Sequence, residues 1–358
     1  MNPTEISTEQ GSHTLSEILS QPQTWRKCLA KLSTSSELQS AARMARPGAE
    51  WAFIGCGTSY YLAIAAASAF NALGLAARAI PASEILLYPS LTLAARRDFV
   101  PVVISRSGRT SEAVRAARQL ERQHNVRTIA ITCAAGEPLE EECSLTLQLL
   151  DADEKSMVMT RSFTTMLLSL QYLAATVLGN VGFQRSLTEL PLQVEPLFER
   201  FPEQLQQFVN ARDFEDCVFL AQGPLFGVAS ECMLKVTEAS CTYAQVFHSL
   251  EFRHGPKSIV SPKTLLTSLV SESSYDAEIE LVEEMKALGA TTMIVANQID
   301  DRARQVADIV LELGLAVPEY ARPAAYTPWG QLFGVYTGLK KGLNPDAPKN
   351  LSRVVVLD

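Results

Sequence analysis

Glu231, Lys235 and Glu238 stand at i, i+4 and i+7 in a stretch of small and apolar residues that includes Val228, Ala229, Met233, Leu234 and Ala239. At helical spacing all three project from one face. A helix so apolar is expected to be buried, and charges on a buried helix require partners or a ligand. Two readings stay open. One is an internal ion pair; the other is a carboxylate held beside an ammonium as an acid/base device, with His254 arriving from the following loop and its His-Gly-Pro ending.

A second group of residues suits different chemistry. Ser105, Arg106, Ser107, Gly108 and Thr110 follow the apolar run 99–104, and Gly57, Thr58 and Ser59 follow the run 51–54. Hydroxyls, a guanidinium and free backbone N–H groups at a helix N-terminus suit a phosphate. The plainer alternative is that Ser and Thr cap helices. Two hydroxyl-rich turns after two strands of one sheet favour the anion site.

The elements that must position these residues alternate along the chain. Strands are predicted at 51–54, 99–104, 127–132 and 145–150, with helices at 24–32, from about 38 to 47, from about 60 to 73, at 111–124 and at 162–178. Residues 1 to about 14 read as a disordered arm. Strand, glycine turn and helix in alternation predict a doubly wound parallel α/β sheet, whose ligands bind beyond the strand C-termini.

The second half repeats the first. Gly57 and Gly223 both end a leading strand, Ser105 corresponds to Ser271, and Phe163 corresponds to Trp329, each pair 166 apart; Thr128 and Thr292 slip to 164. Several matches in one register predict two copies of one domain, at 35–185 and 200–342, with a helical linker around 195–210, an N-terminal arm and helix at 1–34, and a tail at 343–358. The copies differ at the second turn, where copy two carries Ser271, Glu272, Ser273, Ser274 and Asp276. Two carboxylates there would repel a phosphate, so the anion site is expected in copy one only.

Length and composition bound the rest. The chain has 358 residues, 47% of them hydrophobic, enough to bury a large core in two domains. A net charge of -8 argues against non-specific binding to nucleic acid or to an anionic membrane. Seven cysteines without a Cys-x-x-Cys pair suit a reducing compartment, and no apolar run reaches spanning length, so a cytoplasmic location is expected. Gly55-x-Gly57 begins a dinucleotide fingerprint, but Tyr60 stands at the third glycine position. There is no P-loop, zinc-ligand spacing or Gly-x-Ser-x-Gly elbow, and no cofactor or metal is expected. His13 and His124 are expected at the surface; His248 is unassigned.

Together the turns Gly55-Cys56-Gly57-Thr58-Ser59 and Ser105-Arg106-Ser107-Gly108-x-Thr110 resemble the sugar isomerase (SIS) domain family. The segment Thr160-Arg161-Ser162-Phe163-Thr164-Thr165, the helix Glu231-x-x-x-Lys235-x-x-Glu238, the ending Glu251-x-x-His254-Gly255-Pro256 and the tail Pro348-Lys349-Asn350-Leu351 extend the resemblance over almost the whole chain. They are similar to the isomerase half of glucosamine-6-phosphate synthases and their stand-alone relatives. The resemblance implies two tandem flavodoxin-like domains and a homodimer whose active site uses both subunits. It further implies that Ser59, Ser105, Arg106, Ser107 and Thr110 hold a sugar phosphate, with Gly57 and Thr58 of the same turn expected beside them. Glu238 would move a proton between C1 and C2 with Lys235 beside it, and His254 of the partner would open the sugar ring.

Three departures qualify that picture. The chain begins with a short arm and has no Cys at position 2, so glutamine hydrolysis is not expected of it. Arg353 stands where the synthases carry a lysine, and a guanidinium does not readily form a Schiff base, so Arg353 is assigned to substrate binding. Arg106 and Arg109 replace a glutamine and a glutamate; Arg106 would strengthen phosphate binding and Arg109 is expected in solvent. The expected function is therefore aldose–ketose isomerisation of a hexose or hexosamine 6-phosphate, with or without release of ammonia from C2. Its competitor is a non-catalytic phosphosugar-binding regulatory protein, since SIS domains also serve as ligand-binding modules. Neither a nucleic acid nor a membrane is an expected partner.

Overall fold

The apolar runs become the strands of two parallel sheets. The computed structural model describes residues 10–93 and 98–357, and these separate into two compact units. The first comprises residues 20–93, 98–154, 161–191 and 352–357; the second comprises 10–19, 155–160 and 192–351.

In the first unit β1 (Glu50–Gly55), β2 (Ala77–Pro81), β3 (Phe99–Ile104), β4 (Ile129–Thr132) and β5 (Leu145–Gln148) lie in the order β2-β1-β3-β4-β5. All neighbouring strands are parallel. Alternate residues of β1 serve the two faces, as a pleated strand requires. Trp51 and Phe53 pack on Phe70 of the helix α1 (Thr58–Ala72), at ring-centroid distances of 5.2 and 4.8 Å. Ala52 and Ile54 join a core with Val103, Ala113, Val114 and Leu120 on the opposite face. Covering both faces explains why β1 and β3 read as continuous apolar runs. The helices α2 (Ser111–Arg118) and α3 (Arg161–Leu178) complete the layers, with α3 packed on α1.

The second unit repeats this plan. Its strands β6 (Asp216–Ala221), β7 (Tyr243–His248), β8 (Thr264–Val270), β9 (Thr291–Ala296) and β10 (Ile309–Glu312) take the equivalent order β7-β6-β8-β9-β10. Strands β1 and β6 begin 166 residues apart, at 50 and 216. The helices are α4 (Phe226–Ser240), α5 (Tyr275–Ala287) and α6 (Pro323–Lys340). A stripe of glycines on α6 lets α4 approach closely. A Cβ at Gly330, Gly334 or Gly338 would fall 2.4 Å from Cys232 Sγ, 2.9 Å from the Lys235 carbonyl oxygen and 2.2 Å from the Ala239 carbonyl oxygen respectively. The helix Leu197–Asn210, in the segment expected to be a helical linker, packs on α6, with Phe198 and Phe201 against Trp329.

Several expectations are corrected. Residues 243–248 are the edge strand β7 rather than loop, because Cys241 adopts a left-handed conformation, φ 49°, and ends the helix α4. β2 was likewise not expected; both are edge strands whose partly exposed residues lack the apolar continuity of the central ones. The helix expected over 111–124 stops at Arg118 and continues as a π-type turn, Gln119–Gln123. The arm expected to be disordered lies outside the described residues up to residue 9, but Ser12–Leu19 is a helix. There Thr14 is buried, and its N–H and Oγ1–H donate to Asp346 Oδ1 at 2.8 and 2.6 Å. That partner is far along the chain and leaves no local signal. Among the described residues no helix is long and apolar enough to cross a membrane.

Candidate active site

In the first unit the chain passes from β1 outward to β2, then crosses to β3 on the other side of β1. The turns after β1 and β3 therefore flank the topological switch point, where open α/β sheets form a crevice beyond their strand ends. Those turns carry the residues expected to bind an anion. Gly55 needs to be glycine, since a Cβ would lie 2.4 Å from the Ser59 carbonyl. Gly57 has φ +53° and precedes Thr58 and Ser59 in the first turn of α1, both nearly buried. After β3, Ser105 Oγ donates to Thr110 Oγ1 at 3.2 Å, and Ser107 Oγ accepts from the Arg109 N–H at 3.2 Å. Gly108, at φ +64°, closes the turn against Glu137, whose Cβ a side chain there would meet at 2.7 Å.

Arg106 and Arg353 have partners the sequence did not disclose. The Arg106 guanidinium, 5% exposed, pairs with the fully buried Glu154 carboxylate at 3.4 Å and donates to the Arg353 carbonyl at 3.1 Å. Glu154 also accepts from the Ser162 N–H and Oγ–H at 3.2 and 2.5 Å. The Arg353 guanidinium meets the Asp153 carboxylate at 3.0 Å and donates to the Glu154 carbonyl. Both arginines thus engage the chain's own groups, Arg106 in the interior and Arg353 with about half of its side chain exposed. The C-terminal segment they anchor continues over α2: the Val355 carbonyl accepts from the Ser111 N–H at 3.2 Å, and the Leu357 N–H donates to Ser111 Oγ at 2.9 Å.

The equivalent turn of the second unit is filled from within. Glu319 Oε1 accepts from Ser271 Oγ at 2.6 Å and from the Glu272 N–H at 2.7 Å, and its Oε2 accepts from Ser273 Oγ at 3.1 Å. A carboxylate occupies the place where a turn of this kind would take an external oxyanion.

On α4 the expected trio meets. Lys235, 2% exposed, lies 3.3 Å from the Glu231 carboxylate and 2.5 Å from that of Glu238. Burial works against the Lys235 charge, but the Glu231 and Glu238 carboxylates outweigh it and raise its pKa above the ordinary 10.5. Lys235 is therefore a standing cation rather than a base at neutral pH. Of its two carboxylates, Glu231 is 0% exposed and Glu238 18%. Glu238 is the one that solvent, and hence a substrate, can reach. His254 is exposed at the end of the short turn Leu250–Arg253, ahead of Gly255 at φ +119°. His13 and His124 are exposed, as expected, and His248 stacks on Phe226 with centroids 3.8 Å apart.

The structure thus brings Lys235 and Glu238 together and sets Gly57, Thr58, Ser59, Ser105, Ser107 and Thr110 on two turns of adjacent strands. The two groups belong to different units. Sequence reasoning missed Glu154, Glu278 and Glu319, whose roles depend on partners 4 to 48 residues away. The glycine spacing at 330, 334 and 338 was a legible sign of close helix packing.

The SIS domain family matches residues 50–176. The glutamine–fructose-6-phosphate aminotransferase [isomerizing] of Pyrobaculum aerophilum is 25% identical over 363 aligned positions, covering 99% of this chain and 59% of that protein. Its counterpart in Vibrio cholerae is 26% identical over 321 positions, covering 85% of this chain and 51% of the relative. The chain thus spans about half the length of the curated relatives it matches. Among solved structures, glucosamine-6-phosphate deaminase from Thermotoga maritima aligns at a TM-score of 0.75 with 28% identity, over 96% of this chain and 100% of that one. The tagatose-6-phosphate ketose/aldose isomerase of Escherichia coli aligns at a TM-score of 0.83, with 21% identity, over 100% of this chain and 98% of that one, which speaks to the fold alone.

Proposed function

We propose, for a chain whose residues 50–176 are a SIS domain, that it catalyses aldose–ketose isomerisation of a hexose or hexosamine 6-phosphate. Where the sugar carries an amino group on C2, the proton shift leaves an imine at C2, which takes up a water molecule and is hydrolysed to the ketose with release of ammonia. The kinship with proteins named for fructose 6-phosphate and glucosamine 6-phosphate supports this class. The sugar phosphate is held by Ser105, Ser107, Thr110, Thr58, Ser59 and the backbone beside Gly57, through hydroxyls and N–H groups at two helix N-termini. Arg106 and Arg353 act at one remove, fixing the 105–110 turn and the C-terminal segment through Glu154 and Asp153.

The observation that carries the reading is Glu238, which reaches solvent while its carboxylate rests 2.5 Å from a buried, protonated lysine. Isomerisation needs a base that takes a proton from one carbon and returns it to the next. Glu238 does this, and the Lys235 charge stabilises negative charge that develops on the enediol oxygens. His254 opens the sugar ring. Its exposure on its own unit suits a group donated to the site of a partner subunit in a homodimer.

Glu238→Gln tests the assignment. Binding of glucosamine 6-phosphate and fructose 6-phosphate should persist, while turnover falls about 10²- to 10⁴-fold, the usual worth of a general acid/base. Unchanged turnover overturns it. A wild-type protein that binds these sugars without exchanging the C2 proton is instead a phosphosugar-binding protein.

A further inference from the structure

The loop that ends at His254 is not held by its own short turn, which is only four residues long. It is held by α5. Ser249 Oγ donates to Glu278 Oε1 at 2.5 Å, and the other oxygen of Glu278 accepts from the Ser271 N–H at 3.0 Å and Ser274 Oγ at 2.8 Å. Glu278 is 1% exposed and Ser249 likewise. Phe252 is fully buried in the core that Ile279 and Val282 of α5 help to form. The Arg253 guanidinium then pairs with Glu284 at 2.8 Å and approaches Glu280 at 3.8 Å, both also on α5. From Ser249 to Arg253 the loop is therefore fastened to one helix by a hydrogen bond, an apolar side chain and an ion pair, and His254 follows directly.

Glu278 is a costly way to make such a fastening. Burial pushes its carboxyl pKa up, against the three donors that favour its charge. Elsewhere the inward face of α5 carries Ile279, Leu281, Val282 and Met285, and a leucine at 278 would suit that face without placing a charge in the interior. What a leucine would not do is accept from two turns at once. Glu278 joins the loop after β7 to the turn after β8 and so fixes one against the other.

We infer that Glu278 is a positioning residue, which sets the place of His254 by tying Ser249 to the Ser271 turn. The inference rests on the role proposed above for His254 in catalysis. It is tested in the full-length protein with Glu278→Ala, Glu278→Gln and, as a milder cut that removes a single donor, Ser249→Ala. Two readouts are needed. The amide exchange rates of Phe252 and His254, whose N–H groups donate within the loop, report its order directly. Turnover of fructose 6-phosphate and glucosamine 6-phosphate reports the consequence.

Glu278→Ala is expected to speed exchange at those amides at least tenfold, relative to amides in β6 and β8, and to lower kcat at least tenfold with KM within twofold. Glu278→Gln keeps an acceptor toward Ser271, while the Ser249 hydroxyl can turn to accept from the amide. It should recover most of the loss. Added to His254→Ala, Glu278→Ala should change kcat less than twofold, because the residue it positions is already gone. An equal loss of kcat in the wild-type and His254→Ala backgrounds, or unchanged exchange at Phe252 and His254 in both Glu278→Ala and Ser249→Ala, overturns the inference. Full turnover by His254→Ala, or none by the wild type, instead sinks the proposed role of His254, and the exchange rates alone then decide whether Glu278 orders the loop.

Discussion

Two turns occupy the same place in the two units, and their donors have gone different ways. At residues 105–110 the hydroxyls of Ser105 and Ser107 engage Thr110 and the Arg109 N–H, and among the described residues no carboxylate accepts from them. At residues 271–276 the matching hydroxyls and an N–H close on Glu319. The central charge is reversed as well. Arg106 is held by Glu154 in the first unit, and the corresponding Glu272 is held by Arg322 in the second. A turn at the N-terminus of a helix suits an oxyanion whatever its source. Which anion fills it is decided by a residue that folding brings in, and in the second unit that residue belongs to the protein.

The comparison can be broken most severely by giving the first turn the charge of the second. Arg106→Glu would oppose the buried Glu154 with a second carboxylate and should lower stability by about 5 kcal/mol, measured by urea denaturation. The double variant Arg106→Glu with Glu154→Arg copies the sign of the Glu272–Arg322 pair and should recover part of that loss. No recovery would mean that the two pairs are not equivalent.

Next in size is the buried cation of the second unit. Lys235→Met leaves Glu231 buried without its ammonium and should cost about 3 kcal/mol at neutral pH. Because folding raises the Lys235 pKa above 10.5, its contribution is complete below that pH and is lost as pH rises through the folded-state value. Denaturation curves of wild type and variant should therefore converge only in strongly alkaline solution.

Smaller is the effect of emptying the second turn. Glu319→Ala removes the acceptor for two hydroxyls and an N–H and should cost about 1–2 kcal/mol. Inorganic phosphate should raise the Tm of this variant more than that of the wild type. An equal response in both would show that the donors do not form an anion site once Glu319 is gone. Smallest is Arg109→Ala, which removes a largely exposed pair with Glu137 and should change stability by about 0.5 kcal/mol or less.

The central strands, the glycine turns and the duplication were legible because parallel strands covered on both faces must be apolar throughout, and because glycines at 55 and 108 answer local steric demands. The edge strands β2 and β7 were not, since half-exposed strands lack that uniformity. At the site, the spacing of Glu231, Lys235 and Glu238 placed them on one helical face, yet not which carboxylate reaches solvent. That was decided by tertiary packing around α4, which buries Glu231 fully and leaves Glu238 18% exposed.

Sequence by itself determined the periodic features of this protein: the alternation of strand and helix, the two copies, and the contrast between a hydroxyl-rich turn and an acidic one. Only the tertiary structure decided the partners of the charges: Glu154 for Arg106, Asp153 for Arg353, Glu319 for the second turn and Glu278 for the loop of His254. The reason is physical. Periodicity follows from backbone geometry and neighbouring residues, whereas a buried ion pair or shared carboxylate is fixed by long-range packing that no local pattern records.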